Sequence, residues 1–451
     1  MTTTTLSLAL ANLRVAFFGK RMIQQRTSFV LVGTLALSPF ASAQMSLQDA
    51  ISLANDRDTQ QLQYDYQAQA TRESSVAAGQ LMDPTLKVGI GGLPVDSFSL
   101  DDDMMTNLSV GMMQKFSRGD TLDIRQQRGD IEAQAYGYQS DLRALSVTKT
   151  LTDSWIELYY LQQVEAVLNQ RSALLSRLYR NANQNYALGY GEAQAIVAVE
   201  VNQAKVHQQL LTNSQQQTAL NVQLSEWLGA QTLRADALPQ WPALDALLES
   251  QILTTAAQSS TEHEALSQLL TRHPSVLQID QAIALKQNDV QLAEEAYAPE
   301  MGVELMYAHR RANDMAGQQA SDLVSVFFTV DVPLFTDKRQ DRRLVAAEHG
   351  VGAVTAQRDT LLRQLDAQAR RLAQDIEFSE QRLAMYQNQI LASASERIRA
   401  VNRSYQNGVA TYAEVVAARD ERLMLTIEQH RIEADLHKAK NQLAFLLNQY
   451  F

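Results

Sequence analysis

The chain contains one passage twice. Tyr186, Gly189, Ile196 and Val197 return as Tyr405, Gly408, Val415 and Val416, at a constant offset of 219 residues. Each copy is a tight glycine turn followed by Ala- and Gln-rich sequence that ends in an apolar run, LSEWLG in the first and AFLLNQ in the second. In the second copy the helical period continues for roughly 37 residues, with small or apolar residues on one face and charges and amides on the others. A duplication on this scale governs how the whole chain is assigned to a fold.

Residues 46–82 read as a helix that Asp83-Pro84 ends, because a proline disfavours the α region for the residue before it. The period then changes to two. Leu86, Val88 and Ile90 alternate with Lys87, Gly89 and Gly91, and Leu108, Val110 and Met112 alternate with Asn107, Ser109 and Gly111. This predicts a hairpin over 84–116 with a long acidic loop around Asp101-Asp102-Asp103. From Arg118 the helical period persists to about Tyr186, interrupted only by Gly129 and Gly137, which implies a helix of ~100 Å at 1.5 Å per residue. A turn at 188–191 leads into a returning helix that ends near Leu228, and Pro239 and Pro242 mark a linker over 231–262.

The second half repeats this order. A helix over Glu264–Tyr297 stops at Ala298-Pro299, and a hairpin over 299–335 follows. In it Met301, Val303, Leu305 and Tyr307 alternate with Gly302, Glu304 and Met306, and Val324, Val326, Phe328, Val330 and Val332 alternate with Ser325, Phe327, Thr329 and Asp331. A long helix from about Lys338 reaches the turn at 406–409 and the final helix. The first repeat is therefore assigned to 44–230 and the second to 263–451.

Lys20, Arg21 and Arg26, the apolar run Ser28–Phe40 and the small-residue site Ala41-Ser42-Ala43 read as a signal peptide over 1–43, with Met22 as a second start that would leave 1–21 upstream. The apolar run is shorter than the ~20 residues a spanning helix needs. Removing the segment lowers the formal charge from −11 to −15, a poor balance for nucleic acid, whose phosphates require clustered Lys and Arg. There is no cysteine, hence no disulfide, thiolate site or lipidated N-terminus.

Strands with one apolar and one small or polar face fit a barrel with lipid outside and water inside, and also a half-buried soluble sheet. Export and strand length favour the membrane, which assigns Leu86, Val88, Ile90, Leu108, Val110, Met112, Val303, Leu305, Tyr307, Val324, Val326, Phe328 and Val330 to lipid. Four strands cannot enclose water, and open sheet edges are not tolerated in hydrocarbon, so several copies must share one wall. The expected fold class is mainly α with a membrane β-barrel. The competing class is a soluble helical scaffold or adhesin of the periplasm or surface.

The order of elements, the duplication, the Y-x-x-G turns followed by V-[VL]-x-A (Val415-Val416-Ala417-Ala418 in the second copy), and Pro333-Leu334-Phe335 resemble the TolC-type outer-membrane efflux proteins. The resemblance covers nearly all of the chain after residue 43 and implies a homotrimer with a twelve-stranded barrel and a helical tunnel crossing the periplasm. It also implies a periplasmic adaptor and an inner-membrane pump of the RND or ABC type as partners, with the adaptor binding at Leu188, Gly189, Tyr190, Asn407, Gly408 and Val409. Glu414 stands where the family has the first of two acids at the closed tunnel end, and the second position is Ala417 here. A three-fold Glu414 ring would attract cations and gate the duct, with Glu192 as the candidate from the first repeat. The alternative for either glutamate is a solvated helix face. The loop GGLPVDSFSLDDDMM and the following FSRGDTL resemble the heavy-metal efflux branch.

Met104-Met105 and Met112-Met113 have the softness for Cu(I), but methionine more commonly fills apolar gaps. His430 and His437 lie two turns apart, too far to share a metal without a third ligand between them. No HExxH, P-loop, GxSxG or dinucleotide-binding turn occurs, so neither catalysis nor a cofactor is expected. Phe451 follows a helix rather than a barrel strand, and its aromatic character is taken as incidental.

Overall fold

A computed structural model describes residues 46–229, 241–242, 266 and 268–450. The signal-peptide assignment, the linker apart from 241–242, and Phe451 lie outside the described residues.

The first repeat comprises α1 (Leu47–Arg57), α2 (Thr59–Ala78), β1 (Thr85–Gly91), β2 (Asn107–Phe116), α3 (Thr121–Ala187) and α4 (Ala193–Leu228). The second comprises α5 (Pro274–Glu295), β3 (Glu300–Arg310), β4 (Leu323–Asp331), α6 (Gln340–Met385), a π-helical turn (Tyr386–Ile390), α7 (Leu391–Gln406) and α8 (Tyr412–Leu446). Among the described residues no helix is long and apolar enough to cross a membrane.

The 67 residues of α3 form the spine, against which α2, α4, α5 and α8 all pack. Its apolar side chains meet both neighbours at one level. Val147, Leu151, Trp155 and Leu158 join Ala50, Ile51 and Ala54 of α1 and Leu224, Trp227 and Leu228 of α4. The second repeat builds a matching cluster from Val276, Leu365, Ala369 and Ile376 with Leu436, Leu443 and Leu446 of α8.

Three features depart from the expected helices, the first being that the helix expected over Glu264–Tyr297 is interrupted at Thr271-Arg272-His273, where His273 caps α5 and Pro274 starts it. The single helix expected over 46–82 is broken at Asp58, which ends α1 and caps α2. Asp58 is 5% exposed and accepts hydrogen bonds from Gln61 N (2.8 Å), both Nε and Nη2 of Arg143 (3.0 and 2.7 Å) and Trp227 Nε1 (3.2 Å). The capping bond compensates for the interrupted backbone, and the other partners pin the break to α3 and α4. Gly129 and Gly137, by contrast, do not interrupt α3. Gly129 lets α2 approach closely, since a Cβ there would lie 2.3 Å from Ser75 Cβ.

The four strands form one antiparallel sheet in the order β1-β2-β3-β4, so the two hairpins join through β2 and β3. This pairing leaves β1 and β4 each with an unpaired edge.

Candidate functional site

The candidate site has two parts, the sheet and the helical tips. Rows of facing residues run across the sheet. Leu86 faces Met112, Met112 faces Leu305, and Leu305 faces Val326. The next row is Val88, Val110, Tyr307 and Val324. Ile90 faces Leu108, Val303 faces Phe328, and Met301 faces Val330. The register thus places every strand residue assigned to lipid on a single face, and most of them are exposed, Val88 and Phe328 at 74% and 76%. Nine residues of β4 at 3.3 Å each, tilted about 40°, span roughly 23 Å, close to the apolar band of an outer-membrane barrel.

The opposite face carries Gly89, Ser109, Lys87, Gly111, Glu304 and Ser325, together with Met306 and Phe327. Lys87 Nζ lies 2.6 Å from Glu304 Oε2 across β2, where Gly111 has no side chain to obstruct it. This same face therefore bears a lysine–glutamate pair on an otherwise mainly small or polar surface. At the base of the sheet Arg118 binds the Ala298 carbonyl (2.9 Å) and the Asp331 carboxylate, joining the start of α3 to both ends of the second hairpin. At the other end Arg311 pairs with Asp101 at 3.5 Å, linking the two hairpin loops. Of the methionine pairs, Met112 faces outward and Met113 the other way, while Met104 and Met105 lie in the loop between β1 and β2.

Far along α3 the chain reverses at Gly189, and beyond α7 it reverses at Gly408. Both glycines have left-handed backbone, φ +76° and +73°. In the first turn Gly189 N donates to Tyr186 O and Tyr190 N to Asn185 O. In the second, Gly408 N donates to Tyr405 O and Val409 N to Ser404 O. These are two Schellman motifs of the same form. In such motifs the residue after the glycine commonly packs on the last helical turn. Here that turn offers Asn185 and Ser404, and Tyr190 and Val409 are instead 85% and 82% exposed. Leu188 is exposed beside them.

Glu414 occupies the third position of α8 in a capping box. Thr411 N and Oγ1 donate to its Oε2 (2.6 and 3.0 Å), and Glu414 N donates to Thr411 Oγ1 (3.3 Å). The Thr411 amide, and then its hydroxyl, hold the Glu414 carboxyl below the usual carboxylate range. Glu192 is itself the N-cap residue of α4 and makes no side-chain capping bond. The two glutamates are therefore not equivalent, because the position matching Glu192 is Thr411.

Further along α3 from the turn, Arg171 grips Asp420 of α8 with a two-pronged ion pair (2.7 and 3.0 Å) and donates to Gln209 of α4 at 3.0 Å. Reading residue types alone leaves this pair invisible, since its members lie 249 positions apart. His430 contacts Glu433 at 3.0 Å and His437 stacks on Trp241, so the two histidines engage different groups. Among the described residues, no cluster of His, Asp or Glu is arranged to hold a metal ion.

Residues 265–449 match the outer membrane efflux protein family. No curated protein matches the chain. Solved structures with the same fold include the outer membrane protein VceC of Vibrio cholerae, at a TM-score of 0.69 and 15% identity over 89% of this chain and 95% of that one. The CmeC outer membrane channel of Campylobacter jejuni gives 0.67 and 11% identity over 96% and 94%. The MtrE outer membrane channel of Neisseria gonorrhoeae, solved in an open state, gives 0.61 and 16% over 90% and 88%. Identities this low establish the mainly helical fold with a small barrel portion and single out no branch of the family.

Proposed function

We propose that this chain, whose residues 265–449 match the outer membrane efflux protein family, is a member of that family and the outer-membrane exit duct of a tripartite efflux or type I export system. The observation that carries this reading is the four-stranded sheet with a continuous apolar face and two unpaired edges. Such a sheet is stable in lipid only if its edges are closed by further strands. Two copies would supply eight strands, whose interior side chains fill, whereas three copies supply twelve and leave room for water. A homotrimer is therefore the smallest closed wall with a lumen. The face bearing Lys87 and Glu304 lines that lumen, and the helices extend on the periplasmic side.

The exposed Leu188, Tyr190 and Val409 support docking of a periplasmic adaptor at the tips, and through it an inner-membrane pump of the RND or ABC type. No group in this scheme makes or breaks a covalent bond, and the duct acts by opening and closing. Glu414 contributes to the constriction only with the charge left over from its role in the cap.

Membrane fractionation combined with cross-linking tests the proposal. The protein should sit in the outer membrane, require detergent for extraction, cross-link to trimers and conduct ions in planar bilayers. A monomer soluble without detergent in the native host would overturn it.

A further inference from the structure

Ten residues before the end of α3, about 15 Å along its axis, a groove opens between α3, α7 and α8. Its volume is about 420 Å³. Arg177 reaches it from α3 and Arg419 and Arg422 from α8, while Leu174, Ile398 and Leu423 supply apolar wall. Arg177, Arg419 and Arg422 form no ion pair among the described residues. Arg422 Nε donates only to the hydroxyl of Ser395, at 3.0 Å.

The acids beside the lining residues in sequence are already engaged, Glu396 of α7 with Arg399 among them. Asp420 is held by Arg171, and Glu421 by Arg397. The chain around the groove supplies no others from α3, since residues 166–187 contain Arg171, Arg177 and Arg180 but no Asp or Glu. The chain as a whole is acidic, with a formal net charge of −11, and at this level the balance reverses. Guanidinium groups stay charged at any physiological pH, so three of them around one groove repel each other until an anion enters.

We propose that this groove binds an amphipathic organic anion, with a phosphate, sulfate or carboxylate head held by Arg177, Arg419 and Arg422 and an apolar body against Leu174, Ile398 and Leu423. The volume lies within the range of small-molecule sites. Guanidinium forks match oxyanions in two-pronged geometry, which suits a tetrahedral or planar anionic head. This inference goes beyond the conduit reading and needs neither a pump nor an adaptor to hold.

The test uses the full-length protein in lipid nanodiscs, titrated with 1-naphthyl phosphate and followed by the fluorescence of the naphthyl group. Inorganic phosphate and 1-naphthol, which carry the two halves of the probe separately, are titrated by calorimetry. The whole probe should bind at least tenfold more tightly than either half, and more weakly as salt is raised. The R177Q/R419Q/R422Q variant should lose at least tenfold in affinity. R342Q/R343Q/R363Q removes equal charge from exposed positions of α6 and should bind as the parent does. Equal affinity in the groove variant, or an equal loss in the α6 variant, would overturn the proposal. So would binding of phosphate alone as tight as that of the whole probe. Circular dichroism and cross-linked trimer content establish that each variant is folded. If the groove variant binds the probe normally but no longer assembles with partner proteins, the arginines serve an acidic protein segment and the small-anion assignment is wrong.

Discussion

Thr411 and Glu414 cap each other, each donating a backbone N–H to the other's side chain at the start of α8. One carboxylate is thus asked to hold a helix end and to carry charge at the tip. Gln can make the same reciprocal bonds without the charge, so Glu414→Gln separates the two roles. It should leave thermal stability near that of the parent at neutral pH and lower cation preference in planar bilayers. Glu414→Ala should lose both. The folded carboxyl titrates below its unfolded value, so its contribution is full above the ordinary carboxylate pKa and disappears as pH falls through the lowered one. Cation preference that is unchanged in Glu414→Gln would confine the residue to capping.

Asp58 joins four chain segments from a nearly water-free position. Burial alone would raise its carboxyl, but hydrogen bonds from Arg143, Gln61 and Trp227 outweigh burial and hold it low. Asp58→Ala should cost about 3 kcal/mol, because it leaves Arg143 and Trp227 without their acceptor and removes the α2 cap. In the parent this stabilisation is complete above the unfolded carboxylate pKa of about 4 and is lost as pH falls through the depressed folded value. Asp58→Asn should lack that acid-side decline in denaturation midpoints measured from pH 6 downward.

Gly408 faces open space, so only its backbone resists substitution. A non-glycine residue held left-handed costs roughly 1–2 kcal/mol, least for Asn. Gly408→Asn should therefore retain efflux of a fluorescent dye from cells. Gly408→Glu should abolish it while cross-linked trimers persist. Dye export by the glutamate variant would remove the tip from the docking surface.

Lys87 and Glu304 neutralise each other on the face proposed to line the lumen. A partly exposed pair of this kind contributes on the order of 1 kcal/mol to stability, so the larger effect of breaking it should be on selectivity. Lys87→Gln leaves a carboxylate alone and should move the reversal potential in a KCl gradient toward that of potassium. Glu304→Gln should move it toward that of chloride. Identical reversal potentials for both variants would place the pair outside the ion path.

Gly129 and Ser75 touch where α2 crosses α3. Gly129→Ala should lower the thermal midpoint by driving the helices apart, and adding Ser75→Gly should recover part of the loss. Failure of that rescue would mean that helix separation is not what the alanine costs.

The duplication, the two hairpins and the long helices were legible because each rests on periodicity, which a single sequence records directly. The apolar alternation of the strands was legible for the same reason, and the register aligned it on one face across four strands. Two local signals were present and went unread. Asp58-Thr59 inside an apparently continuous helix is an N-cap pattern, and Thr411-Tyr-Ala-Glu414 is a capping box. The ion pairs of Arg171 with Asp420, Lys87 with Glu304 and Arg118 with Asp331 were out of reach, since each joins residues brought together only by the packing of the two repeats. The arginine groove was hidden likewise, because its acid-free stretch of α3 acquires meaning only beside α8.

The bare edges of β1 and β4 have a genetic consequence. In the three-copy wall proposed above, β4 of each chain must close on β1 of the next, so a single chain with a spoiled edge ruins the ring it joins. When intact and spoiled chains are made in equal amounts, only about one ring in eight draws three intact members. An allele damaged at that seam alone should thus silence most of its healthy counterpart, whereas a null allele should merely halve the supply.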